Sequence, residues 1–409
     1  MTHRKIAALA LGLLLLLSSG CSLVDVDQEK VAEIENNKTI IEYNGTKVTK
    51  EDVTMQMTQY LSANQSSIDA IKSSGDDTWK NFKESYIKQI AVNLVALDKA
   101  KEMGLDQLTD EQKSSIDESY KSTMSMLDSV ISSSVKSAVE KDPSLDYDTE
   151  YKKELKAYMN ALGYDPDTYR DTLEKQTIIG LVKTSLTKDI SVSDNDVLSS
   201  YNTQLKMQKN NIELSPNNFE LQNQFGGTIL YYPDGYMKVR HILIAFDDDT
   251  KSKALKAYSS TGDNTEYNKI IDESIPSILP KVNEVLDKMN SGEDFAKLME
   301  TYNTDATMTS DGQIVGPYSS NVIVPGYLDA VAKLTKEGSY TTLTTYSGCY
   351  IIRCDKLMAG AVPYDDVKDG MKATMLSEKQ SEKWSEVTTG WIDDAEKAGT
   401  LKMYTDQYN

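Results

Sequence analysis

Few side chains in this sequence are suited to heavy chemistry. Two histidines and three cysteines stand among 409 residues, too few for a zinc site, a Cys–His nucleophile pair or a disulfide framework. His241 lies in a short apolar strand, Val239-Arg240-His241-Ile242-Leu243-Ile244. Further on, Ser291-Gly292-Glu293-Asp294-Phe295-Ala296 opens a helix that leads into Tyr302-Asn303-Thr304-Asp305. Turns at Asp311-Gly312 and Gly316-Pro317-Tyr318 precede the run Ile323 to Ala330, a helix to Leu334, and a final strand including Ser347-Gly348-Cys349-Tyr350-Ile351-Ile352. Cys349 and Cys354 are five apart on that strand, so their side chains point to opposite faces and cannot bond each other. Taken singly these residues read blandly: His241 as a satisfied core histidine, Tyr327 as core, Asp305 as a turn residue stabilising its own backbone. The chemistry they permit together is light.

The elements around this region are mostly helical. Thr39 to Val48 alternates about Asn44-Gly45, the preferred turn of a tight hairpin, and Thr49 with Asp52 is a capping-box variant. A helix is predicted from about Trp79 to Met103, with Ile87, Ile90, Leu94 and Leu97 on one face and Gly104 as its stop. Thr109-Asp110-Glu111-Gln112 is a full capping box; residues 121–163 read as helical with a break near Asp142-Pro143. Asp165-Pro166 is predicted to cap a helix to about Lys188, and Ser193 to Tyr201 a short one. Residues 202–235, rich in Asn and Gln with Pro216, Gly226-Gly227 and Pro233-Asp234-Gly235, read as a linker. After Val362-Pro363-Tyr364, the residues Val367, Met371, Met375 and Leu376 make a helical apolar stripe that continues to Trp391 and Ile392.

The first 21 residues read as a secretory leader: Arg4 and Lys5, an apolar run from Ile6 to Leu17, then Ser18-Ser19-Gly20 before Cys21. The run is too short to span a bilayer. The ending resembles the bacterial lipobox, cut before a lipid-modified cysteine, although the usual Leu falls one place early, at Leu17. The resemblance implies a diacylglyceryl anchor on Cys21, whose two chains hold stably where one would not. The whole chain carries 44 Lys and Arg against 63 Asp and Glu, a formal −19. Without residues 1–20, which hold His3, Arg4 and Lys5, the count becomes 42 against 63, or −21, with His241 as the only histidine. Such acidity excludes a nucleic-acid binder, which needs clustered cations.

The motif order in residues 236–357 resembles parvulin-type peptidyl-prolyl isomerases. The flanking pieces "VTKEDV", "KAKEMGL", "LTDEQ", "GYDPDTYRDTLEKQ" and "ISVSDNDVLSSY" resemble the N-terminal chaperone domain of the SurA and PrsA foldases. Isomerising Xaa-Pro works against a rotational barrier of about 18–20 kcal/mol and needs no metal or nucleophile, only an apolar seat and polar groups that favour the twisted amide. The resemblance implies that His241 is the inner histidine of a hydrogen-bond network. Asp305 would sit beside the carbonyl of the twisting bond, Thr345 would join the network, and Ile323 and Tyr327 would cradle proline. Two positions depart: Tyr350 replaces a second histidine, and Ala332 a Phe of the pocket wall. Asp247-Asp248-Asp249 would repel a phosphorylated substrate.

The expected fold is α+β: a SurA-like helical chaperone domain made by N- and C-terminal segments, with an inserted parvulin (FKBP-like β-α-β) domain. Expected boundaries are a leader at 1–20, a lipid-anchored tether at 21–38, the chaperone domain at 39–201, a linker at 202–235, the isomerase at 236–357 with an insertion near 247–279, and a C-terminal helix in 358–409 packing on the chaperone domain. The expected function is a membrane-anchored foldase on the extracytoplasmic face of a bacterial cell membrane. It would bind unfolded, newly translocated proteins and isomerise their Xaa-Pro bonds through His241, Asp305, Thr345 and Tyr350. The alternative is a holdase whose parvulin module is catalytically weak. A solute-binding lipoprotein is disfavoured, because no repeated strand–helix pattern builds two α/β lobes. No cofactor, metal or nucleic acid is implied, and a homodimer is left open.

Overall fold

In the computed structural model, residues 35–63, 65–260, 264–319, 322 and 324–408 are described. The chain divides into two units, one running to Asp189 and resuming at Gln380, the other spanning Ile190–Lys379. The architecture is α+β, with the second unit inserted into the first.

In the first unit, β1 (Thr39–Tyr43) and β2 (Thr46–Thr49) form the expected hairpin. Asn44 and Gly45 both take positive φ, 48° and 82°, as a turn matching the strand twist requires. Thr49 and Asp52 then cap each other's backbone amides (Thr49 N to Asp52 Oδ2 2.8 Å, Asp52 N to Thr49 Oγ1 3.2 Å) and start α1 (Lys50–Ala63). After α2 (Gln65–Ser73) comes α3 (Asp76–Glu102). It ends where Gly104 turns left-handed and Leu105 N reaches back to Ala100 O at 2.8 Å. Ile87, Ile90, Ala91 and Val95 of α3 are buried against Ile40, Ile41, Val53 and Met57.

The helices α4 (Asp110–Lys141) and α5 (Tyr147–Ala161) follow, α4 opened by the reciprocal Thr109/Gln112 box. Next, α6 (Tyr169–Thr187) starts later than predicted, with Thr168 rather than Asp165 at its N-cap. The Asp165 carboxylate is engaged by Asp167 N at 2.9 Å, which makes Asp165-Pro166 a local turn instead of a helix start.

The second unit begins with α7 (Asp194–Leu214), capped by Ser193, and α8 (Asn217–Gln224). These helices and the start of β3 (Tyr231–Ala245) occupy the stretch read as a linker. The Asn/Gln content misled because these carboxamides serve the backbone: Gln208 accepts from Leu230 N at 2.8 Å and donates to Thr228 O at 2.7 Å, while Ile212, Phe219 and Leu230 are buried. Within and beyond the region of the expected insertion, α9 (Asp248–Ser260) precedes α10 (Thr265–Asn290). Pro276 and Pro280 lie inside α10, where a break is the usual outcome. Burial of Ile271, Ile278, Val282 and Val285 along one face holds it together.

Then come α11 (Phe295–Tyr302), β4 (Gln313–Val315), α12 (Tyr327–Val331), β5 (Tyr340–Thr345) and β6 (Gly348–Ala361). The strands form an antiparallel sheet of order β4-β3-β6-β5. Alternation splits its residues between two cores. Ile242, Ile244, Cys349 and Ile351 pack with α10 and α11, whereas Val239, Leu243, Tyr350, Ile352 and Cys354 pack with Tyr327, Val331 and Leu334. The two cysteines are therefore buried, unpaired and on opposite faces.

The last helix, α13 (Tyr364–Lys397), contributes to both units. Met371 is buried with Val197, Tyr201 and Leu230 of the second unit. Ile392 joins the first unit's core, and β7 (Leu401–Met403) pairs with β1, giving a sheet of order β2-β1-β7.

Candidate active site

His241 sits mid-strand in β3, opposite Ile352 of β6, and is 4% exposed. What brings a carboxylate to it is the turn after α11. Asn303 Oδ1 accepts from Leu243 N (3.0 Å) and from Asp305 N (3.1 Å). Thr304 N and Oγ1 both donate to Leu243 O, at 3.1 and 2.7 Å. The turn is thereby stitched to β3 two residues from His241, and Asp305 Oδ2 arrives 3.1 Å from His241 Nε2. The other carboxylate oxygen, Oδ1, takes the Thr307 amide (2.9 Å) and hydroxyl (2.6 Å). On the far side of the ring, the Tyr327 hydroxyl lies 2.8 Å from His241 Nδ1, and Gln313 Nε2 is 3.4 Å from that hydroxyl.

Two tyrosine rings enclose the imidazole. Tyr350 meets it edge-on at 5.0 Å and 87°, and Tyr327 at 5.6 Å and 72°. Burial pushes the His241 pKa below its ordinary value, against the opposing pull of the Asp305 hydrogen bond and charge. Asp305 shows the reverse balance. Burial works against its ionisation, but the Thr307 side chain and amide and then His241 hold it below the usual carboxylate range. Burial raises both Tyr327 and Tyr350, so neither phenol ionises near neutrality. The site is a neutral imidazole bound to an ionised, doubly anchored carboxylate. Val322, Val324, Leu328 and Leu343 are only partly buried on the core that holds Tyr327 and Tyr350, the two rings that flank His241.

Residues 231–357 match the family described as PPIC-type PPIASE domain. The chain carries a PPIC-type peptidyl-prolyl isomerase domain. Among curated relatives, the chain is 23% identical over 398 residues to the foldase protein PrsA of Clostridium acetobutylicum, covering 95% of this chain and 94% of that protein. It is 22% identical over 409 residues to foldase protein PrsA of Clostridium botulinum (strain Okra / Type B1), covering 98% and 97%. Among solved structures, PrsA from Bacillus subtilis is similar at 16% identity and a TM-score of 0.26, over 88% of this chain and 93% of that one. Foldase protein PrsA from Streptococcus pneumoniae str. Canada MDR_19A is similar at 15% identity and a TM-score of 0.27, over 91% and 97%.

Within the PPIase domain, His241, Asp305, Tyr327 and Tyr350 come together as one cluster. Tyr327, expected to cradle proline, is 1% exposed and its hydroxyl faces His241. Thr345, expected in the network, is buried, but its Oγ1 accepts from Ser347 N at 3.1 Å and closes the β5–β6 turn instead. Ala332, read as a lost pocket wall, is exposed at the C-cap of α12. Ile323 and the lipidation site Cys21 lie outside the described residues, as do the leader and most of the tether. Sequence reasoning missed Asn303, Thr307 and Gln313. For the first two, a signal was available: Asn and Asp two residues apart, with Thr two further on, is the pattern of side chains that fold back on local amides. Gln313 had none, because it reaches its partner Tyr327 only once β4 has paired with β3 and α12 has packed on the sheet.

Proposed function

We propose that this protein is a membrane-anchored, extracytoplasmic foldase that binds unfolded exported proteins and isomerises their Xaa-Pro bonds. The observation that carries the reading is the ionised Asp305, fixed by Thr307 and by His241, whose ring packs on a core rimmed by the partly buried apolar residues Val324, Leu328 and Leu343. A planar amide places partial negative charge on its carbonyl oxygen and double-bond character in C–N. Twisting withdraws both. A carboxylate held near that oxygen raises the planar state more than the twisted one, and the apolar rim removes the water that would offset this. Since Oδ1 and Oδ2 are both hydrogen-bonded, the charge cannot swing away when substrate enters. The roles assigned are Asp305 as the charge, His241 as its holder, and Tyr350 as the ring that packs His241 in place. The apolar seat is assigned to Val324, Leu328 and Leu343, with Ile323 in the same segment.

Anchoring rests on the leader and Cys21. Among the described residues no helix is long and apolar enough to cross a membrane. Client binding is assigned to the helical unit, which holds a cavity of about 660 Å3 lined by Met55, Tyr60, Tyr86, Leu94, Tyr164 and Ile179. That mixed apolar and hydroxyl surface also favours the second reading, a holdase whose isomerase module is weak.

The deciding measurement is the rate of cis-to-trans conversion of a short Xaa-Pro peptide by the full mature chain, alongside His241→Ala. Acceleration that the variant loses supports the isomerase. An uncatalysed rate from folded protein, with aggregation of a denatured client still suppressed, leaves the holdase. For the anchor, Cys21→Ser is expected to release the protein from the membrane fraction; retention there would count against lipidation.

A further inference from the structure

We propose that Tyr327 and Gln313 are positioning residues that lock His241 as its Nε2–H tautomer and so fix the hydrogen bond that holds Asp305. The inference deepens the isomerase reading and depends on it only for the effect on rate.

Neutral imidazole can carry its proton on either nitrogen, and the partner of each nitrogen decides which. Nε2 faces a carboxylate oxygen at 3.1 Å. An ionised carboxylate only accepts, so Nε2 must donate. Nδ1 is then a bare lone pair, buried and in need of a donor. The group on it is the Tyr327 hydroxyl at 2.8 Å. A phenol rotor can donate or accept, and by itself it does not choose. Gln313 reinforces the direction that the Nδ1 lone pair asks for, because its Nε2 points at the Tyr327 oxygen from the other side at 3.4 Å. With that amide donating, the hydroxyl proton is left for Nδ1. The chain of donors therefore runs one way, from Gln313 to Tyr327 to His241 to Asp305. The titratable groups about the ring are Asp305, Tyr327 and Tyr350, and both tyrosines stay protonated near neutrality. This assigns the Tyr327 hydroxyl a role distinct from seating proline.

The test uses the full mature chain labelled with 15N-histidine, in which His241 is the only histidine. Wild type is expected to show a protonated Nε2 and an unprotonated Nδ1 at neutral pH. Gln313→Glu replaces the donor by an acceptor, which draws the Tyr327 proton toward itself. The phenol oxygen then accepts from the ring, and Nδ1 is expected to become protonated in addition to Nε2. Tyr327→Phe is expected to lower kcat about three- to tenfold, the loss of one hydrogen bond, with KM within about twofold. Rapid averaging of the two tautomers in wild type, or ring signals unchanged by Gln313→Glu, would overturn the proposal. So would a Tyr327→Phe variant with raised KM and intact kcat, which would return Tyr327 to the proline seat. If Tyr327→Phe does not fold, the ring signals of wild type and Gln313→Glu still decide. If wild type isomerises nothing, the ring signals stand apart from that failure, which then falls on the functional reading alone.

Discussion

Replacing Asp305 by Asn keeps size and shape while it removes the charge and turns one acceptor into a donor, which makes it the sharpest perturbation of this site. The Asn oxygen must stay on Oδ1's side, because the Thr307 amide at 2.9 Å needs an acceptor. The new NH2 then faces His241 Nε2, formerly 3.1 Å from a carboxylate oxygen. Two donors now oppose each other. The imidazole escapes by moving its proton to Nδ1, where it meets the Tyr327 hydroxyl that Gln313 has aimed at it. One substitution thus sets the whole chain of donors against itself. The hydrogen bond to a charged group contributes about 1.5–3 kcal/mol, and much of that is expected as lost stability of the isomerase unit. The effect on rate comes from the charge. Two unit charges about 4 Å apart interact by about 4 kcal/mol at an effective dielectric of about 20. If twisting withdraws about a quarter to a half of a charge from the carbonyl oxygen, the carboxylate contributes about 1–2 kcal/mol, or about 5- to 30-fold in rate. The assay is NMR exchange between cis and trans forms of an Xaa-Pro peptide, with urea unfolding in parallel. A folded Asp305→Asn protein that isomerises within twofold of wild type would refute the electrostatic argument.

Other outcomes follow from the same geometry. His241 is depressed in the folded chain, so the unfolded chain binds its proton first; stability is full above about pH 6.5 and declines as pH falls from there toward the folded value. Each unit of depression corresponds to about 1.4 kcal/mol; unfolding of wild type and His241→Asn at pH 7.5 and 5.5 should show a steeper loss in wild type. Because Asp305 is depressed as well, isomerase activity between pH 7 and 5 should follow His241 rather than the carboxylate, and a rate-versus-pH profile of Asp305→Asn checks this. Gly316→Ala would place a Cβ 2.5 Å from the Tyr236 ring, which is 1% exposed and held by Glu220 at 2.6 Å. Overpacking of that kind costs about 1–3 kcal/mol, seen as a lower urea midpoint.

The parts of the fold legible in the sequence were those specified locally. The Asn44-Gly45 turn, the Thr49/Asp52 and Thr109/Gln112 boxes and the stop at Gly104 each depend on residues within five positions of one another, and each formed. Asp165-Pro166 carried the same kind of signal and lost to a competing local turn. Composition misled at residues 202–235, since carboxamides that look solvated are bound to backbone groups of the segment leading into β3. The site divided along the same line. His241 and Asp305 were readable from their motifs, whereas the Tyr327 hydroxyl reaches His241 by packing of α12 on the sheet and Gln313 reaches that hydroxyl from β4, and no spacing reveals either.

The pairing of β7 with β1 has a consequence for the order in which the protein matures. Ile41 finds its neighbour Met403 across almost the whole chain, so the first sheet stays two-stranded until the final residues are available. The Ile190–Lys379 unit is continuous and waits for nothing beyond itself. A chain exported amino end first therefore delivers every residue of its isomerase before the clasp of its helical unit arrives. The helical unit must carry the entropic burden of the longest loop closure among the described residues, which makes it the slower-maturing half and the one more exposed to proteolysis while it waits.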